Sequence, residues 1–178
     1  MFIPTTAAEV KARGWDDLDI ILVSGDTYLD SSYNGAAVIG HWLIAGGFRV
    51  GIICQPDVRS AEDITRLGLP KLFWSVTAGC VDSMVANYTA TGKFRKDDDF
   101  TPGAVNDRRP DRACIAYANL IRRFAKGRPV VLGGILGLEF MVDRSQVSKW
   151  LTYGLYALLL CVPIALGVRL LERNGYHG

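Results

Sequence analysis

Short apolar runs that alternate with helical patterns constrain this chain's fold more than any other feature. Residues 18–23 (LDIILV) and 49–54 (RVGIIC) are nearly continuous apolar runs, and glycine, proline or polar residues follow each of them. Between them, residues 35–45 have helical spacing and end at Gly46-Gly47, a stop signal. Buried parallel strands have this apolar character, so the spacing predicts a right-handed βαβ unit.

The same alternation continues along the chain. A further helix is expected to begin at Asp111, whose side chain can cap it. The remaining elements are predicted as a short helix at 61–67, a strand at 72–76, a helix at 83–87 and a strand at 129–132. The sequence therefore predicts an α/β fold, an open and mostly parallel sheet of at least four strands with flanking helices.

The faces of the two main helices can be assigned from their spacing. In the first helix, Val38, Trp42 and Ala45 fall near one face, which Ile39 and Leu43 extend. In the helix after Asp111, one side carries Cys114, Tyr117, Ile121 and Phe124. The polar segment between residues 91 and 111 has charges that nearly cancel, which favours a solvated surface loop over a binding patch.

Composition and charge narrow the functional classes. The formal net charge is +2, and the basic residues form no stripe with aromatic residues, so no nucleic-acid partner is expected. At 49% hydrophobic, the 178 residues suffice for one domain with an appendage. The first residues are polar and do not form a signal peptide, which predicts a cytoplasmic protein.

The four cysteines, Cys54, Cys80, Cys114 and Cys161, lie far apart in the sequence. Zinc and iron–sulfur sites usually need two thiolates within a few residues, so isolated buried cysteines are expected and no metal site is predicted. The sequence also lacks a Walker loop, a nucleophile elbow and a His-Glu-x-x-His segment. No catalytic residue is assigned.

Candidate ligand-binding residues come from the loops that follow the strands, because open α/β sheets bind ligands at the carboxyl ends of their strands. These residues are Asp26, Asp30, Thr77, Gly133 and Gly134. The aspartates can bind a ligand hydroxyl or only cap local structure. The glycine pair can admit a phosphate or cofactor, or form a simple tight turn. Both alternatives stay open from the sequence.

An ordered series of short motifs runs through the first 135 residues. It consists of residues 1–6 (MFIPTT), 11–16 (KARGWD), 19–26 (DIILVSGD), 28–30 (YLD), 35–37 (GAA), 51–57 (GIICQPD), 76–79 (VTAG), 82–85 (DSMV), 98–103 (DDFTPG), 109–113 (RPDRA) and 130–135 (VVLGGI). With this series, residues 1–135 resemble the N-terminal domain of the YgiQ-type radical S-adenosylmethionine (SAM) proteins. An ordered series of this length is far more specific than any single motif.

The resemblance implies a Rossmann-like, cobalamin-binding-like module that precedes a catalytic barrel. In the family, a Cys-x-x-x-Cys-x-x-Cys loop on that barrel holds a 4Fe-4S cluster that binds and cleaves SAM. These 178 residues contain no such triplet, so no cofactor is expected to bind this chain alone. Cobalamin modules with an axial ligand use Asp-x-His-x-x-Gly, and here Ser32 stands at the histidine position of the stretch from Asp30 to Gly35.

Residues 136–178 form a divergent apolar tail that is expected to contain a C-terminal apolar helix. Residues 151–168 (LTYGLYALLLCVPIALGV) are uncharged and close to the minimum length of a bilayer span, so residues 150–171 are a candidate membrane helix. Two other readings stay open: a core helix packed on the sheet, or unselected sequence from a truncation or frame change. A membrane helix would make the protein membrane-associated through its tail rather than cytoplasmic.

Two functional hypotheses follow from these observations. The first is an N-terminal module of a radical SAM protein, inactive until a barrel is supplied in the full-length protein or in trans. The second is a stand-alone ligand-binding or scaffold protein, with a membrane anchor as one form of it.

Overall fold

The computed structural model describes residues 2–133, which form a single parallel sheet with helices on both faces. The elements are α1 (Ala7–Ala12), β1 (Ile20–Ser24), α2 (Gly35–Ala45), β2 (Val50–Cys54), α3 (Glu62–Thr65), β3 (Phe73–Thr77), α4 (Ser83–Asn87), a short 3-10 helix (Pro102–Ala104), α5 (Ala113–Phe124) and β4 (Val130–Gly133). The expected tail helix at 136–178, with its candidate span at 150–171, lies outside the described residues. None of the helices between residues 2 and 133 reaches the length and hydropathy of a bilayer-spanning segment.

The sheet has the strand order β2-β1-β3-β4, and all three pairings are parallel. Leu22 of β1 pairs with Ile52 of β2 on one side and with Ser75 of β3 on the other. The predicted open α/β sheet is therefore confirmed. The order is the flavodoxin-like one, in which β1 neighbours β3, and differs from the 3-2-1-4 order of dinucleotide-binding Rossmann domains.

Each face of the sheet has its own apolar core. Residues that point to one face, such as Ile21, Val23 and Trp74, pack with Tyr117 and Ile121 of α5. Their neighbours Ile20, Leu22 and Ile52 point to the other face and pack with Ile3 and Ala36. A fully buried aliphatic side chain of this size contributes about 1.5–3 kcal/mol, so the strands stabilise both layers.

Helix α2 approaches the sheet through its small residues. Ala36, Ala37 and Gly40 are buried, and a Cβ atom on Gly40 would collide with the Ile3 side chain. The larger apolar residues predicted to share one face, Val38 and Trp42, are exposed instead. Spacing alone did not identify the packing side, because α2 is apolar all round and close approach to β1 selects the smallest side chains.

One helix was missing from the predictions, and one predicted helix cap is wrong. Helix α1 was not expected, although Thr6 and Glu9 form a capping box that marks its start in the sequence. Asp111 does not cap α5: its carboxylate accepts hydrogen bonds from Asn87 and Tyr88, and Arg112 occupies the N-cap position. The Asp111 side chain, which the sequence pattern predicted as the cap, makes this tertiary contact instead.

The amino-terminal ends of β1 and β2 are held together by Asp19 and Arg49. Arg49 donates from Nη2 to Asp19 Oδ1 at 2.6 Å and from Nε to Oδ2 at 3.0 Å, and its backbone amide donates to Oδ2 at 2.9 Å. The side-chain hydrogen bond from Arg49 is the main cause that lowers the pKa of Asp19 below 3.8. The bidentate geometry distinguishes this pair from an ordinary surface ion pair.

Replacement of Asp19 by Asn should lower the free energy of unfolding by about 1–2 kcal/mol, the range of a partly exposed hydrogen bond to a charged group. Because the folded-state pKa is depressed, this stabilisation is present above the pKa of the unfolded chain and is lost as the pH falls through the folded-state value. Urea unfolding of the unaltered chain and of Asp19→Asn, at neutral pH and below pH 3.8, measures the difference between their free energies of unfolding. This difference should shrink in acid.

The matched control is Asp17→Asn, because Asp17 pairs with Lys71 at 3.0 Å on the exposed surface. Its effect should stay below about 0.5 kcal/mol. Equal effects of the two variants would contradict a special role for the Asp19–Arg49 pair.

Candidate functional site

The candidate site lies where the chain reverses its direction across the sheet. From β1 the chain moves to β2 on one side, and from β2 it crosses to β3 and then β4 on the other. Right-handed crossovers therefore place α2 on one face and α3 and α5 on the opposite face, which opens a crevice between the carboxyl ends of β1 and β3. The loops that begin at Ser24 and Thr77 border this crevice.

Two glycines allow these loops to touch. A Cβ atom on Gly25 would overlap the carbonyl group of Ala78, and one on Gly79 would overlap the carboxylate of Asp26. Gly79 also has a φ of 111°, a conformation that side chains rarely adopt. Any larger residue would separate the loops, so these glycines fix the floor of the crevice.

A buried arginine joins both loops to a third segment. Arg109 donates from Nη2 to Asp26 Oδ1 at 2.6 Å, from Nε to Asp98 Oδ2 at 3.2 Å and from Nη1 to the Ala78 carbonyl at 2.9 Å. All three side chains are at most 3% exposed. Asp26 also accepts a hydrogen bond from the Cys80 amide. Its carboxylate is thus occupied within the protein, which favours the structural interpretation of Asp26 over ligand binding.

The charges in this cluster stabilise one another. Burial alone raises the pKa of Asp98, but hydrogen bonds from the Thr101 hydroxyl, the Phe100 amide and Arg109 outweigh it and leave the pKa below 3.8. Burial lowers the pKa of Arg109, and its hydrogen bonds to the two carboxylates raise it above its ordinary value. Asp98 and Arg109 are therefore an ionised pair that is stabilised by hydrogen bonds rather than by water.

The polar segment at 91–111 is not the solvated loop that its charges suggested. Asp98, Thr101, Asn106 and Arg109 are all buried. Gln55, which follows β2, donates to the Gly25 carbonyl at 3.0 Å and to the Thr101 hydroxyl at 2.6 Å. The segment packs against the carboxyl end of the sheet. Its buried charges, Asp98 and Arg109, pair with each other across 11 positions, a distance that local patterning does not detect.

A cavity of about 390 Å³ lies at the crevice, between the sheet and the start of α2. Three of the predicted site residues line it, namely Asp26, Thr77 and Gly133. Asp30 lies apart from them, in a groove on the outer side of α2, where its carboxylate pairs with His41. Gly134 is outside the described residues. The structure thus brings together three of the five predicted residues.

The cavity offers neutral polar groups. The Ser24 hydroxyl accepts a hydrogen bond from the Asp26 amide at 3.1 Å, and the Thr77 hydroxyl accepts one from the Gly79 amide at 3.2 Å. Both hydroxyl hydrogens remain able to donate into the cavity. Burial and the nearby Asp26 raise the pKa of the Cys80 thiol, so this cysteine is not an activated nucleophile. Among the described residues, the cavity thus presents hydroxyl groups that can donate and accept hydrogen bonds.

The described residues do not fit an iron–sulfur cluster. Between residues 2 and 133, no three His, Cys, Asp or Glu side chains are grouped closely enough to hold a metal ion. Burial raises the pKa of Cys54 to about 12 and also raises the pKa of Cys114. Cluster ligands must be thiolates, and these thiols are protonated and separate.

Comparison with known proteins gives relatives that include several UPF0313 proteins. The chain is 61% identical over 136 residues to one from Fusobacterium nucleatum, covering 75% of this chain and 24% of that protein. It is 62% identical over 150 residues to one from Thermotoga maritima, covering 84% of this chain and 26% of that protein. For Methanocaldococcus jannaschii the identity is 50% over 135 residues, with 76% and 22% covered.

The chain therefore spans about a quarter of the length of these relatives. The Thermotoga maritima match covers more residues than the predicted module at 1–135, so similarity to that protein continues past Ile135. No solved structure matches the chain.

Residues 2–137 match the family described as Radical SAM N-terminal, which confirms the resemblance drawn from the sequence. The chain belongs to the radical SAM N-terminal family.

Proposed function

We propose that this chain is the N-terminal module of a radical SAM, 4Fe-4S protein, and that these 178 residues do not perform the radical chemistry alone. The observation that carries the proposal is the position of the thiols. Radical SAM chemistry needs three thiolates on one loop to hold three irons and leave the fourth open to SAM. In this sequence the cysteines stand at 54, 80, 114 and 161.

The module's contribution is to position a ligand or partner beside a barrel, supplied by the full-length protein or in trans. The loops after β1 and β3 have a fixed geometry, because Gly25, Gly79 and Arg109 hold them in contact. When a barrel is present, its cluster would cleave SAM to start the reaction. The groups that this module adds at its cavity are hydroxyls and backbone amides, which bind and orient.

A stand-alone ligand-binding protein is the second candidate. The cavity at the β1/β3 crevice favours it, since about 390 Å³ falls within the range of small-molecule sites, about 300–1,000 Å³. Its lining combines apolar side chains, Leu22 and Ile39 among them, with the hydroxyls of Ser24, Ser75 and Thr77. This candidate needs no barrel. It requires that the isolated chain bind its ligand tightly.

Anaerobic reconstitution of the purified chain with ferrous iron and sulfide should give no 4Fe-4S absorption and no cleavage of added SAM. The reason is that the available thiols are separate and those of the described residues are protonated. A bacterial ferredoxin treated in parallel checks the procedure. A stoichiometric cluster in this chain would refute the proposal.

Calorimetric titration with cyanocobalamin and with ATP tests the second candidate. If either binds at one molecule per chain, Thr77→Val should weaken binding by about 0.5–1.5 kcal/mol through loss of one hydrogen bond. Thr91→Val removes the same hydroxyl from an exposed position and serves as the control. Absence of binding by both probes, or equal effects of the two variants, would count against ligand binding at the cavity.

Arg109→Met should lower the free energy of unfolding by about 3–5 kcal/mol, because two buried carboxylates would lose the cation that pairs with both of them. The neighbouring Arg108 is exposed, so Arg108→Met should change stability by less than about 0.5 kcal/mol. Chemical denaturation of both variants gives the comparison. Near-native stability of Arg109→Met would show that the cluster does not hold the loops.

A further inference from the structure

We propose that the outer face of α2, formed by Val38, Ile39 and Trp42, is the surface on which the downstream part of a full-length radical SAM relative docks. The inference rests on the proposed function, and it names the partner of the module and the surface involved. It assigns a role to Val38 and Trp42, which do not line the crevice cavity, and Ile39 belongs both to this face and to the cavity lining.

The composition of α2 is unsuited to a helix that faces water. Its sequence, GAAVIGHWLIA, contains no Lys, Arg, Asp or Glu. Its small residues pack on the sheet, while Val38 is 47% exposed, Ile39 53% and Trp42 80%. A helix that is apolar all round is normally buried on both sides.

Helix α5 provides a comparison within the same protein. It packs on the opposite face of the sheet through Tyr117, Leu120 and Ile121, and its last turn carries Arg122 and Arg123 on the exposed side. This is the usual pattern of a helix with one side in water. Helix α5 on one face of the sheet therefore carries arginines on its outer side, whereas the outer side of α2 on the other face is apolar.

The one ionisable side chain of α2 is already paired. His41 Nε2 bonds to Asp30 Oδ1, and this hydrogen bond is the main cause that holds the pKa of Asp30 below its ordinary value. The Asp30 carboxylate would therefore enter a protein interface with a hydrogen-bond partner already in place. A surface that binds anionic lipid would instead carry Lys or Arg beside its apolar residues, and α2 has neither.

The shape and position of this face fit a large partner. A groove of about 540 Å³ borders it, lined by Asp30, Val38, His41 and Trp42 among others. On its other side, Ile39 lines the crevice cavity together with Gly133, the last described residue. The chain therefore leaves β4 beside this face. In the relatives, about three quarters of the protein lies outside the matched segment.

A chimera tests the proposal: residues 1–150 of this chain replace the matched segment of the Thermotoga maritima relative. Hydroxyl-radical footprinting with mass spectrometry should show several-fold slower oxidation of Trp42 in the chimera than in the 178-residue chain. The same footprinting on the unaltered relative, over the helix that aligns with Gly35–Ala45, should show protected outer-face side chains and needs no chimera.

Lysine variants test the docking surface independently of the footprinting. Trp42→Lys and Val38→Lys should lower the thermal unfolding midpoint of the chimera and leave that of the 178-residue chain unchanged. Ile115→Lys is the matched control, because Ile115 is 51% exposed on α5, and it should change neither protein.

Several results would overturn the proposal. One is equal oxidation of Trp42 in both proteins together with an exposed helix in the relative. Another is a dimer of the 178-residue chain, seen by sedimentation, that Trp42→Lys dissolves, since this would assign the face to a second copy. A third is binding to phosphatidylcholine–phosphatidylglycerol vesicles that Trp42→Lys abolishes. A reconstituted cluster in the chain alone would refute the proposed function and leave these measurements unaffected.

Discussion

The buried ion cluster of Arg109, Asp26 and Asp98 is the interaction on which the rest of the site depends. It connects the loop after β1, the loop after β3 and the polar segment that precedes α5. An arginine suits this position because its planar fork can donate in several fixed directions at once. The cluster has two carboxylates and one cation, and the amides of Phe100 and Cys80 donate to the two carboxylate oxygens that Arg109 does not bind. The Thr101 hydroxyl donates to Asp98 Oδ2, which also accepts from Arg109.

The cluster also determines which polar groups face the crevice. Among the described residues that line the cavity, the carboxylate of Asp26 is paired with Arg109, and the hydroxyl groups of Ser24, Ser75 and Thr77 line the cavity beside it. Arg109 and the two loop glycines, Gly25 and Gly79, hold the floor of the crevice in place. The two faces of the sheet also differ, because α5 presents arginines to solvent and α2 presents Trp42.

Much of the fold could be predicted because its signals are local. The strands around Leu22, Ile52 and Trp74 are short apolar runs, and the helices at Gly35–Ala45 and Ser83–Asn87 begin and end where predicted. The ends of strands also located the crevice, with Thr77 and Gly133 on its wall. Asp30 was misplaced relative to that crevice because the loop after β1 carries it to the outer side of α2, where His41 binds it.

The sequence by itself determined the class of fold, the family and the lack of a closely spaced cysteine triplet, since apolar periodicity, ordered motifs and residue spacing are properties of the chain. Only the tertiary structure decided that Arg109 joins Asp26 across 83 positions, that Asp98 is buried, and that α2 packs by its smallest side chains. The physical reason is the same in each case. Charge pairing and close packing depend on which groups meet in space, and a parallel sheet brings together loops that are far apart along the chain.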